Sequence, residues 1–198
     1  IEAMGELAEY RDPETGSHIH RTRAYVQLLA ETLVGKGHYH DILTPDYIVL
    51  LWKSAPLHDI GKVAIRDSIL LKPGKLTPEE FDEMKMHTLY GEEVIANLEQ
   101  MAGQPTSFLS CAKDIAGSHH EKFDGSGYPR GITGTYIPLP GRIMAIADVY
   151  DALISKRVYK SPLPPNKALG MMYKMRGQAW APGYVERFIK MVGIFPVG

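Results

Sequence analysis

Three dipeptides decide most of what this chain can fold into. Asp12-Pro13, Thr44-Pro45 and Thr77-Pro78 each place a side chain able to cap a helix directly before a proline. That pairing marks a helix start, because the cap accepts from unsatisfied N–H groups and proline suits the first helical position. Glu80 supplies the return half of a capping box with Thr77. Apolar residues then recur at helical spacing, and alternating strand patterns are scarce, so the chain reads as all-α. Helices are expected near residues 14 to 35, 45 to 60, 78 to 101, 106 to 120, 141 to 156, 165 to 176 and 182 to 193, with Gly61 closing the second. Residues 121 to 140, punctuated by glycine and proline, read as an ordered, turn-rich loop.

With 198 residues, 44% of them hydrophobic, the chain can bury the core of one globular domain. Its formal net charge of −1 supplies no global field for nucleic acid or an anionic membrane, so a polymeric nucleic acid partner is not expected. The apolar run "YIVLLW" is far short of the roughly 20 residues a membrane helix needs, so no span is expected. One cysteine, Cys111, excludes an internal disulfide, reads as core packing and suits a reducing, cytoplasmic setting. The opening "IEAMGELAEYRD" reads as the end of a helix arriving from elsewhere. Residues 1 to 12 are therefore expected to end a linker or signalling helix from an upstream domain, with the functional domain at 13 to 198.

Five of the eight histidines stand out: His18, His58, His87, His119 and His120 lie on apolar-patterned helices near carboxylates. Glu14 and His18 are spaced i, i+4 on one helical face, where a single cation reaches both. Asp59 follows His58 at the inner end of an apolar run, where an unpaired carboxylate is costly. His87 shares a stripe with Met84, Gly91 and Val94, and Asp148 sits in the apolar segment "RIMAIADVYDAL". Singly, each is more readily an exposed pair, a satisfied core histidine or a capping acid. Together, five histidines and three acids facing one core all need partners. Two ions a few ångströms apart, bridged by a carboxylate such as Asp59, meet that need. The neighbours His119 and His120 can both serve if they meet a cluster, or if the helix unwinds beneath them.

"HDIGK" at 58 to 62, "HHEKFDGSGYP" at 119 to 129 and "IADVYDALISKRVYK" at 146 to 160 resemble the HD-GYP family of cyclic dinucleotide phosphodiesterases, a branch of the HD superfamily. The resemblance covers most of the chain. It implies an HD-domain helical bundle with an irregular GYP loop, and His18, His58, Asp59, His87, His119, His120 and Asp148 as metal ligands. Glu14 matches an acid that helps hold a third ion in some members. Asp59 and Lys62 match catalytic positions, Lys62 also meeting substrate phosphate. Gly127, Tyr128 and Pro129 form the signature tripeptide, and Arg157 and Lys160 match basic residues expected on the phosphates.

Histidine and carboxylate donors without thiolate admit iron, manganese, nickel, zinc or cobalt. The resemblance favours two or three ions of iron or manganese. The implied reaction opens cyclic di-GMP to pGpG, or on to GMP, through a hydroxide bridging the metals. Cyclic GMP-AMP as substrate, an HD-type nucleotidase and a weakly active interaction module that binds a protein partner at the GYP loop remain alternatives. An upstream sensor or receiver domain, a homodimer formed through the helix that ends in residues 1 to 12 and a bacterial cytoplasmic location complete the expectations.

Overall fold

The computed structural model describes residues 18 to 34, 39 to 156 and 161 to 193. Glu14, Arg157, Lys160 and the Asp12-Pro13 start lie outside the described residues. Within them the structure is helical with no strand; Arg176 and Trp180 form an isolated bridge. The helices are α1 (His18–Val34), α2 (Pro45–Ser54), α3 (Asp67–Leu70), α4 (Pro78–Lys85), α5 (His87–Met101), α6 (Ser107–Ser118), α7 (Leu139–Ile154), α8 (Pro165–Lys174) and α9 (Tyr184–Val192). Thr44 caps α2 by accepting from the Tyr47 N–H, and Thr77 with Glu80 forms the full capping box at α4.

The main core lies between α1 and α7. Val26, Leu29, Ala30 and Leu33 follow helical spacing on α1 and are fully buried against Ile143, Met144, Ile146 and Ala147 of α7. α9 closes this core with Tyr184, Val185 and Phe188, each side chain contributing about 1.5–3 kcal/mol on burial. Cys111 is buried in the same cluster, as its apolar surroundings predicted. Ile60, Ile95, Ala112 and Ala116 form a second cluster beneath the histidines. No helix among the described residues is long and apolar enough to cross a membrane.

Two helix boundaries differ from expectation, and both differences serve the centre described below. The helix expected over 45 to 60 ends at Ser54 and continues as 3₁₀ turns, Ala55–Leu57 and Ile60–Ala64. Pro56 is the physical reason, since its ring nitrogen cannot continue the ladder. Gly61 accordingly does not close a helix. It lies in the second 3₁₀ turn, where an added Cβ would fall 1.9 Å from the His87 carbonyl oxygen and 2.4 Å from the Gly91 nitrogen.

The helix expected over 78 to 101 breaks at Met86 into α4 and α5. There the His87 ring nitrogen Nδ1 donates to the Met84 carbonyl at 2.7 Å and the Thr88 hydroxyl donates to the Lys85 carbonyl at 2.9 Å. These side-chain bonds occupy carbonyls at the break, the local competition that interrupts helices. The one-turn α3 was not anticipated. The glycine-rich segment is ordered: Phe123 and Asp124 donate to the Ala179 and Gln178 carbonyls at 3.1 and 2.9 Å, tying it to the α8–α9 connection.

Candidate metal centre

Each buried histidine arrives with one ring nitrogen already committed. His58 Nδ1 lies 2.9 Å from the Ala55 carbonyl, and His119 Nδ1 lies 3.0 Å from that of Ile115. His87 is held by Met84 in the same way, and His18 Nδ1 lies 2.8 Å from Asp151 Oδ2. A neutral imidazole that donates from Nδ1 carries its lone pair on Nε2. The four rings thus present Nε2 as the ligand atom, held in orientation by groups behind them.

Three of those nitrogens converge on Asp59. Its Oδ1 lies 3.3 Å from His87 Nε2 and 3.6 Å from His119 Nε2, while its Oδ2 lies 3.3 Å from His58 Nε2. Two clusters result, one of Asp59, His87, His119 and His120, the other of His18, His58 and Asp148; ligand atoms within each lie no more than 4.8 Å apart. His18 Nε2 joins the second cluster 3.3 Å from His58 Nε2 and 3.6 Å from Asp148 Oδ1. α6 ends at Ser118 with His119 as its C-cap, the His119 N–H still donating to the Ile115 carbonyl, and the turn that follows brings the His119 and His120 rings to 4.0 Å, on the same cluster.

The donor set fits divalent ions. Asp59 Oδ1, His87 Nε2 and His119 Nε2 are buried without a hydrogen-bond partner, a costly arrangement that a cation relieves. Burial pushes the Asp59 carboxyl up, but Lys62 and His58 outweigh it and hold the group well below the usual carboxylate range. Burial pushes His120 well down and His119 down, favouring the neutral imidazole that binds metal. For His58 burial also acts downward, yet the neighbouring Asp59 charge and hydrogen bond raise it to about 9.

Lys62 Nζ lies 2.8 Å from Asp59 Oδ2, which sets a cation at the edge of the centre. Tyr128 lies with its ring 4.7 Å from that of His120 at 31°. Gly127 allows this approach without a positive φ: an added Cβ would fall 2.3 Å from the Lys122 nitrogen. Gly125 and Gly131 do take positive φ, at 83° and 63°. The Tyr128-Pro129 peptide is cis.

Asp151, Arg21 and Glu121 were not singled out from the sequence. Asp151 is 1% exposed and joins His18 to Arg21, whose Nε donates to Oδ1 at 2.5 Å. The signal was present as helical spacing, Asp148 to Asp151 and His18 to Arg21 both being i, i+3. Glu121 is 3% exposed, and its Oε1 accepts from the Arg130 N–H at 2.8 Å, pinning the chain just after the GYP tripeptide.

Residues 46–182 match the HD domain family. A cyclic di-GMP phosphodiesterase of Vibrio cholerae is 54% identical over 189 residues, covering 96% of this chain and 38% of that protein. A probable cyclic di-GMP phosphodiesterase of the same organism is 50% identical over 187 residues, covering 94% of this chain and 42% of that protein. The chain therefore spans less than half the length of these relatives. Among solved structures, a cyclic GMP-AMP specific phosphodiesterase of Vibrio cholerae superposes with a TM-score of 0.55 at 29% identity, covering 98% of this chain and 40% of that one. By that match, with "HDIGK" and "GYP" at the clustered site, the chain belongs to the HD domain family, in its HD-GYP branch.

Proposed function

We propose that this domain hydrolyses cyclic di-GMP to linear pGpG and onward to GMP. The observation that carries the reading is the Asp59 carboxylate, whose two oxygens face histidines of two different clusters. His18, His58 and Asp148 would hold one divalent ion, His87, His119 and His120 a second, and Asp59 both. Such ions neutralise phosphodiester charge and acidify water.

The chain's own residues do the rest. The carbonyls behind His58, His87 and His119 and the carboxylate behind His18 keep each Nε2 aimed inward. Lys62, beside Asp59, offers a cation to a non-bridging phosphate oxygen and a proton to the 3′-oxygen as the phosphorus–oxygen bond breaks. Water supplies the new oxygen on phosphorus, leaving a 5′-phosphate and a 3′-hydroxyl. Arg157 and Lys160 are assigned to the phosphates, the Gly127–Tyr128–Pro129 turn to the substrate wall, and Glu14 to a third ion that permits the second cut.

Iron or manganese is the favoured metal: nitrogen and carboxylate donors without thiolate admit both, and the HD-GYP resemblance favours them over nickel, zinc or cobalt. The activities for which the two Vibrio relatives are named support cyclic di-GMP as substrate. Cyclic GMP-AMP is the second reading, favoured by the specificity for which the structural neighbour is named. We assign residues 1 to 12 to a linker from an upstream sensor or receiver domain and 13 to 198 to the catalytic unit. A homodimer, a protein partner at the GYP loop and a cytoplasmic setting belong to the same proposal.

The test is chromatography of products from cyclic di-GMP and cyclic GMP-AMP after anaerobic reconstitution with iron or manganese. pGpG or GMP from the intact domain and none from Asp59→Ala is the expected result. A metal-loaded domain that leaves both substrates uncut would overturn it.

A further inference from the structure

We infer that Phe81, Asp82 and Lys85 form a guanine-recognition face beside the metal centre, an inference that rests on the proposed dinucleotide reading and names how that site selects its base. α4 carries these residues and has no buried residue of its own. Phe81 is 45% exposed on it, a large ring that the core does not use.

Its position follows from a run of aromatic rings leading out of the centre. Tyr128 lies against His120 at 4.7 Å and 31°, so one ring face is already covered. Phe81 is the next ring outward, 6.1 Å from Tyr128 and nearly perpendicular to it at 82°. A phosphodiester at the clusters carries its base about one sugar away, and Phe81 is the exposed ring of this run. Base stacking on such a ring strengthens binding by about ten-fold or more and accepts any base, so a selective site needs polar groups as well.

Asp82 and Lys85 supply them. Lys85 Nζ lies 5.0 Å from the Phe81 ring centroid and 6.0 Å from that of Tyr128. It pairs with Asp82 Oδ1 at 2.6 Å, and both side chains reach solvent. Guanine presents acceptors at O6 and N7 and donors at N1 and N2. A lysine beside a carboxylate on one helical face matches that pattern. Adenine puts an amino donor where guanine has O6, so the same lysine disfavours it. Because α4 is held by its capping box and packs no core side chain, substitutions here leave the fold intact.

Equilibrium dialysis of the manganese-loaded chain against GMP, AMP and ribose 5-phosphate tests this without any turnover. The expected result is GMP bound about ten-fold or more tighter than ribose 5-phosphate, with Phe81→Ala bringing the two within about two-fold. Lys85→Met and Asp82→Asn should each erase the preference for GMP over AMP. Equal affinity of the unsubstituted chain for GMP and ribose 5-phosphate would overturn the inference, as would an unchanged ratio in Phe81→Ala. A GMP preference that survives both polar substitutions would overturn the assignment of base selection. Failure of the phosphodiesterase reading is seen separately, as base-dependent GMP binding with no product from cyclic di-GMP.

Discussion

Asp151 Oδ2 lies 2.8 Å from His18 Nδ1, joining residues 133 positions apart in the chain. Arg21 holds the same carboxylate from the other side, and burial notwithstanding, His18 and Arg21 keep the Asp151 carboxyl down at about 2. The carboxylate orients an imidazole that it does not replace as ligand. Asp151→Asn should therefore lower metal affinity about 10–100-fold while leaving the helical content intact. Metal retained after dialysis against a graded chelator, alongside circular dichroism, checks this; unchanged retention would remove Asp151 from the centre's support.

Metal uptake should release a proton. The folded pKa of His58, about 9, lies above its ordinary value of 6.5, so its proton stabilises the metal-free fold fully below pH 6.5. That contribution is lost as pH rises through 9. A divalent ion must displace the proton, so apparent affinity should climb between pH 6.5 and 9 while metal-free stability declines over the same window. Titration in weak buffer with an indicator dye measures the release. His58→Gln should lose it; an identical release in that variant would assign the proton elsewhere.

Gly61 brings its 3₁₀ turn into backbone contact with α5. In Gly61→Ala the added carbon meets the His87 carbonyl at 1.9 Å, so the two elements must separate and carry His87 away from Asp59. The expected cost is about 1–3 kcal/mol of stability together with weaker metal binding. Thermal unfolding and metal analysis of the variant are the readouts, and a melting temperature equal to that of the unsubstituted chain would refute the contact.

Glu121→Ala removes the acceptor for the Arg130 N–H and should loosen the segment that sets Tyr128 on His120. Cleavage by a protease with access to residues 122 to 135 should become faster, with little change in melting temperature. Equal cleavage rates would show that the remaining ties, the Arg130–Glu92 ion pair and the Phe123 and Asp124 bonds to the α8–α9 connection, hold the segment without Glu121.

Cys111 should resist a thiol reagent until the chain unfolds, because burial pushes its thiol up to about 12. Labelling by a disulfide reagent in native buffer and in urea separates the two states. Rapid native labelling would place Cys111 outside the core.

Local chemistry determined a great deal. Thr44-Pro45 and Thr77-Pro78 announce helix starts through groups that act within one turn, and both caps form. Apolar spacing announced α1 and α7 because a 3.6-residue period is a property of the chain alone. The metal-type donors were legible as residues whose burial needs partners. What tertiary structure alone decided is which atoms meet. Asp59 gains its two-sided role because Pro56 ends α2 and turns the chain, and because α5 starts afresh at His87. The support from Asp151 to His18 crosses 133 residues, and the closeness of Phe81 to Tyr128 depends on the break at Met86. Such contacts depend on how far apart helices pack and at what angle, and no spacing within a single helix encodes that distance.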